Sequence, residues 1–240
     1  MKKTITLLIY LLMINLLVCL LLVIDINNNK PHINESIIIN AMSNSDNYNL
    51  IVQILKDTHK EDFIKYTDYM QLDIYKTIEN DKNNYTAFTI TLPQNKSFIA
   101  FYKKNNDNTY SFNSLVDDLD EINDFYFFND FLIVEQSCEN KNNHLNDKEF
   151  VEIFFKENSS YVSKLEKDIY VEISNASNNS KNILSATIDF LEDIPPKILY
   201  IKTYLNGEDN SDKEVSKEVY TWDPELSQFT IHEKENPIDE

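Results

Sequence analysis

The chain has 240 residues, and 40 acidic side chains against 22 basic ones, every one of them lysine, leave a net charge of −18. Gly207 is the single glycine, so the glycine-rich turns of a phosphate-binding loop, a dinucleotide fingerprint or a nucleophile elbow cannot be built. Two cysteines cannot fill a four-thiolate zinc site, and an acidic chain without arginine is repelled by phosphate, which argues against nucleic acid as a partner.

The 31 asparagines accompany abundant Lys and Ile and scarce Gly and Ala. AT-rich coding produces that bias, so the asparagine count carries no functional reading of its own. A hydrophobic share of 42% is too high for wholesale disorder.

Lys2 and Lys3 precede an apolar run from Ile5 to Ile24, interrupted by Thr6, Tyr10 and Asn15. At about 1.5 Å per residue, a helix of that length spans roughly 30 Å, the hydrocarbon core of a bilayer. A cleaved signal peptide has a shorter apolar region ending in small residues. Here the run exits into Asp25, Ile26 and three asparagines, so residues 5–24 read as a transmembrane signal-anchor helix. The positive-inside rule then places residues 1–4 in the cytoplasm and residues 25–240 outside, as a single-pass protein of the cell membrane. Cys19 reads as a lipid-facing thiol, since Val18 precedes it and further apolar residues follow. The remaining lysines and all the acids lie beyond the run, and this anionic portion is held off an anionic bilayer surface.

Residues 25–47 alternate Asn and Ser clusters with one apolar patch, Ile37–Ile39, and read as a flexible tether. Leu50, Ile51, Ile54 and Leu55 then recur at helical spacing, which predicts an amphipathic helix over about 48–58 with Ser45 or Asn47 as cap. Residues 60–78 are expected to begin helical and to become a strand from about Met70. Beyond that point the pattern is strand after strand. Phe88, Ile90 and Leu92 alternate with threonines; Phe98–Tyr102 and Leu132–Val134 are short buried runs; Leu184, Ala186, Ile188 and Phe190 alternate with polar residues. Pro195–Pro196 and Asp223-Pro224-Glu225 mark breaks between further strands.

Ten or eleven strands with short polar turns predict an α+β chain that is mainly antiparallel β, a sandwich or a propeller-like arrangement. Residues 48–232 form a single β-rich domain in this reading, and 233–240 an acidic tail. The stretches from Phe98, Phe150 and Val219 each run as strand, polar turn, then aromatic strand. Each resembles the outer hairpin of a propeller blade of the FG-GAP type, without that family's Asp-Gly-rich calcium loops. Generic hairpins account for the echo equally well, and no family is assigned from it.

Candidate chemistry is sparse. Asp117, Asp118, Asp120, Glu121 and Asp124 could together offer oxygens to Ca2+, the one cation for which the sequence supplies candidate ligands. The EF-hand pattern fails, because Ile122 and Asn123 fall where a ligand and the glycine belong, and a solvated acidic loop is the plainer reading. Glu208, Asp209, Asp212 and Glu214 form a second acidic loop, which reads as solvated in the same way. Cys138 is flanked by Glu135 and Glu139, which oppose thiolate formation, so a nucleophile paired with His144 is not expected. His32, His59, His144 and His232 lack metal-binding spacing. Tyr220 and Trp222 share one face of a strand, and that face reads as core.

No catalytic residue and no cofactor emerges. The sequence reading is a membrane-anchored extracytoplasmic protein at the bacterial cell surface, a non-enzymatic binding or scaffold domain whose partners are the membrane through residues 5–24 and a protein or cell-envelope component. The alternative is a tethered hydrolase of cell-envelope polymer using an Asp/Glu pair. A concave pocket with two facing carboxylates would favour the alternative.

Overall fold

A strand that alternates apolar and polar side chains buries one face, whereas an unbroken apolar run has to be buried on both. Both kinds occur in the computed structural model, which describes residues 12–16, 32–44, 47–80, 83–93, 95–139, 145–157, 160–175, 180–206 and 212–235. The described elements begin with β1 (His32–Asn34), helix α1 (Glu35–Asn44), helix α2 (Tyr48–Asp57) and a 3-10 helix over Glu61–Tyr69. A first group of strands follows: β2 (Gln71–Asn80), β3 (Asn83–Leu92), β4 (Lys96–Lys104) and β5 (Thr109–Leu119). The second group is β6 (Glu121–Phe128), β7 (Phe131–Glu139), β8 (Leu145–Glu157), β9 (Ser160–Asn175), β10 (Ser180–Leu191), β11 (Lys197–Asn206), β12 (Asp212–Asp223) and β13 (Gln228–Glu235).

The strands form two antiparallel sheets. The first is five-stranded, in the order β1-β5-β4-β3-β2, and the second is an eight-stranded meander from β6 to β13. The chain changes sheet at Asp120, whose backbone N–H donates to Gln136 Oε1 at 2.7 Å. Gln136 is itself buried and donates to Glu152 at 3.0 Å, so the crossing point is pinned from β7 and β8.

Three apolar clusters separate the layers. On one face of the first sheet, Phe88, Ile90, Phe98, Ala100 and Tyr102, with Ile33 of β1, meet the helices through Ile38, Leu50, Ile54 and Leu55. On its other face, Ala87, Ile99, Phe101 and Val116 meet Phe125, Leu132, Val134 and Phe154 of the second sheet. The far side of β7 and β8 presents Phe131, Ile133, Val151 and Ile153 to Ile198, Tyr200, Tyr220 and Trp222, because the meander curls over itself. Phe98–Tyr102 and Leu132–Val134 are unbroken apolar runs for this reason: each strand lies between two layers. In β10, by contrast, Ser185, Thr187 and Asp189 are exposed and the alternation survives.

Helix α2 forms where its spacing predicts, with Leu50, Ile51, Ile54 and Leu55 buried. Burying each aliphatic side chain is worth roughly 1.5–3 kcal/mol. Asn47 occupies the N-cap position but makes no side-chain cap bond, and Ser45 lies outside the described residues. With one glycine in the chain, left-handed backbone falls to other residues. Asn95, Asn108, Asn129, Asp118, Ser227 and His59 all have positive φ, and asparagine and aspartate tolerate that region because their short side chains bond locally.

Several expectations need correction. Residues 32–44, read as tether, contain β1 and α1, with Ile33, Ile38 and Ala41 buried in the cluster between the first sheet and the helices. The propeller alternative does not hold, since eight consecutive strands form one curled meander in place of separate radial blades. The described strands number thirteen, more than expected. Most of residues 5–24 lies outside the described residues; the described part, 12–16, is helical with Leu12, Met13, Ile14 and Leu16 exposed. Among the described residues no helix is long and apolar enough to cross a membrane.

Candidate functional site

The C-terminal end of α2 is closed by backbone bonds, with the Thr58 hydroxyl adding a side-chain bond to the last turn. Lys60 N–H donates to Leu55 O at 2.7 Å and His59 N–H to Lys56 O at 3.2 Å, the two bonds of a Schellman motif. His59 takes the left-handed position of that motif, with φ 58°, where glycine is the usual occupant. The turn aims Asp57, Thr58 and His59 at β5. Between them and Phe112–Leu115 lies an open cleft of about 310 Å3, with Ser160 at the start of β9 on its far side.

Asp57 is the acidic residue of this lining, and it is 3% exposed. Its Oδ1 accepts from Gln53 Nε2 at 2.7 Å and its Oδ2 from the Tyr102 hydroxyl at 2.8 Å. Burial raises the Asp57 pKa above its ordinary value; the bonds from Tyr102 and Gln53 and the proximity of His32 and His59 act the other way. Burial, with the Asp57 charge, pushes the Tyr102 hydroxyl up as well. Thr58 turns its hydroxyl back to Ile54 O at 2.8 Å. On the opposite wall Asn113 donates to Ser114 Oγ at 2.8 Å. Phe112 and Leu115 add apolar surface to the lining. The arrangement is suited to holding a polar or cationic group against a desolvated carboxylate. Among the described lining residues Asp57 is the single carboxylate, whereas acid–base glycoside hydrolysis uses a pair.

The five acids of the candidate calcium stretch are not brought together. Asp117 pairs with Lys60 at 2.7 Å, and Lys96 sits 2.7 Å from Asp120 and 3.7 Å from Asp118. Asp118 adopts φ 59°, which turns it away from the strand line, and Asp124 Oδ1 accepts from Phe125 N–H. Glu121 opens β6. Among the described residues no three His, Cys, Asp or Glu side chains converge as metal ligands would. Glu208, Asp209 and His144 lie outside the described residues. Cys138 is a free, half-buried thiol on β7. Tyr220 and Trp222 are core, as the strand spacing predicts.

A second polar cluster lies inside the curled sheet. Glu218 on β12, 5% exposed, receives Lys202 of β11 at 2.8 Å, Lys167 of β9 at 3.5 Å and the Tyr220 hydroxyl. Lys167 also lies 4.3 Å above the Tyr220 ring and donates to its hydroxyl. Burial alone would raise the Glu218 pKa, but the bonds from Lys202 and Tyr220 and the charges of Lys202 and Lys167 outweigh it and hold the group at about 2. This cluster ties β9 to β11 and β12 across the curl.

Sequence reading missed Asp57 as a site residue. The available signal was its place seven positions after Leu50 and three after Ile54, on the apolar face of the helix. Compared with known proteins, the chain matches no family model, no curated protein and no solved structure.

Proposed function

We propose that this chain is a membrane-tethered extracytoplasmic binding domain of the bacterial cell surface, non-enzymatic, with the Asp57 cleft as its ligand site. The observation that carries the binding role is the buried Asp57 carboxylate, held by two donors at the wall of an open cleft beside a His59 in left-handed backbone. Buried charge and backbone strain each cost stability, and both concentrate where a surface is used. The tether rests on the length of the apolar run from Ile5 to Ile24 and on the lysine pair before it. Exposed Leu12, Met13, Ile14 and Leu16 on the helical part of that run fit a lipid surrounding.

Fractionation combined with protease treatment of intact cells, the outer envelope being permeabilised, tests the placement. The chain is expected in the membrane pellet with its C-terminal portion digested from outside. Full protection of that portion, or recovery of the whole chain as soluble protein, overturns the reading.

A further inference from the structure

Alternate connections of an antiparallel meander fall at the same end of the sheet. In the second sheet the connections β6–β7, β10–β11 and β12–β13 do so, and the curl draws them together. Phe128, just before the first, packs on Phe190 of β10 with ring centroids 5.2 Å apart, and Phe131, just after it, lies 4.9 Å from Trp222 of β12. The other two connections are fastened as well. Trp222 N–H donates to Pro196 O at 3.0 Å, and Asp193 pairs with Lys197 at 2.8 Å. Asp223 Oδ1 accepts from the backbone N–H groups of Glu225 and Leu226 at 2.9 and 3.1 Å. What these held turns present is apolar. Ile194 in the β10–β11 connection is fully exposed, and Leu191 at the end of β10 and Leu226 in the β12–β13 turn are exposed too. One exposed leucine is ordinary, but three large aliphatic side chains on fastened neighbouring turns, outside every core cluster, form a patch. Asp130, Glu192 and Glu225 lie on the same three connections, exposed, and none of them enters an ion pair among the described residues.

We propose that this end of the second sheet docks a partner protein whose contact face is an apolar hollow rimmed by lysine or arginine, with Ile194 and Leu226 as the anchors that enter it. Protein interfaces join an apolar centre to a polar rim, and the centre carries most of the energy. Charge selects the partner. Three exposed carboxylates without lysine partners favour a basic rim and steer its approach. A second copy of this chain would set the same carboxylates against each other, and an anionic bilayer surface would repel them. The turns are fastened before any partner arrives, so docking has little backbone to order. The surface is separate from the Asp57 cleft, and neither the cleft nor the membrane tether is needed for it.

The test places the photoreactive amino acid p-benzoylphenylalanine at Ile194 of the full chain, in the cells that produce it naturally, and irradiates them. One protein adduct of defined size is expected, and none when the same probe replaces exposed Asn40 on α1. Sequencing of the cross-linked peptide is expected to find apolar residues flanked by Lys or Arg. Combining Asp130→Lys, Glu192→Lys and Glu225→Lys is expected to lower the adduct yield about tenfold, with the melting temperature unchanged because all three side chains are exposed. Leu226→Ser, at an exposed turn position, is expected to lower the yield by about the same factor, and it carries the test should the triple variant fold poorly. Absence of a protein adduct, or an adduct only with lipid or with a second copy of the chain, overturns the inference. So does an adduct formed equally from Asn40, or one whose yield survives these substitutions.

Discussion

Two buried carboxylates in this chain have opposite electrostatic consequences. Glu218 is held at about 2, below its ordinary 4.5, so between those values the unfolded chain binds more protons than the folded one. Its contribution to stability is complete above pH 4.5 and is lost as the pH falls toward 2. Glu218→Gln is expected to lower stability at neutral pH by about 2–3 kcal/mol, since Lys167 and Lys202 lose their shared acceptor. In urea titrations the gap between variant and native chain is expected to shrink over that acid range; a gap independent of pH contradicts the assignment. Asp57 has a raised pKa, and the folded state holds its proton more tightly, so stability from this group declines as the pH rises past its ordinary value of 3.8. A site residue that works against stability has a neighbour of the same kind in His59. Its left-handed backbone, at φ 58°, is relieved by glycine, so His59→Gly is expected to raise stability by about 1 kcal/mol. Thermal unfolding of the variant measures this, and a loss of stability would show that the imidazole supports the fold.

At the scale of elements, Ile54 stands for the packing of the helices on the first sheet. It is fully buried in the cluster containing Phe88, Phe98 and Tyr102. Ile54→Ala is expected to cost about 2–4 kcal/mol in urea unfolding, while exposed Ile39→Ala changes stability by less than about 0.5 kcal/mol. Equal costs would contradict the orientation of α1 and α2. Helix α2 and β10 were legible in the sequence because each has one buried and one solvated face, which leaves a period in the residues. β4 and β7 were legible as short buried runs, but a run buried on both faces has no period to say which residue meets which layer. α1 was illegible because Ile37–Ile39 is a single apolar patch set among Asn and Ser clusters, and its burial depends on a sheet formed far along the chain. The cleft was illegible for a related reason: Asp57 and Ser114 meet only through the pairing of β5 with β1 and β4, and nothing local to either announces the other.

For the whole molecule, the cluster shared by the two sheets is expected to make them unfold as one cooperative unit. Phe101 on β4 packs against Phe125, Phe127 and Tyr161 with ring centroids 6.2, 5.9 and 5.5 Å away. Trp222, the single tryptophan, lies in the third cluster, within the curl of the second sheet. Phe101→Ala is expected to lower stability by about 3–5 kcal/mol. Trp222 fluorescence and far-ultraviolet circular dichroism are expected to report the same lowered midpoint. A Trp222 transition that stays at its native midpoint would mean that the sheets unfold apart.

The functional account joins an outward-facing domain to an open cleft beside β5, and thiol labelling in living cells tests both at once. With Cys19→Ser and Cys138→Ser as background, Asn113→Cys places a single reactive thiol at the cleft. A membrane-impermeant maleimide is predicted to label it in intact cells with permeabilised outer envelope. Labelling seen only after the cell membrane is broken, or no labelling of this position in either case, would contradict the account.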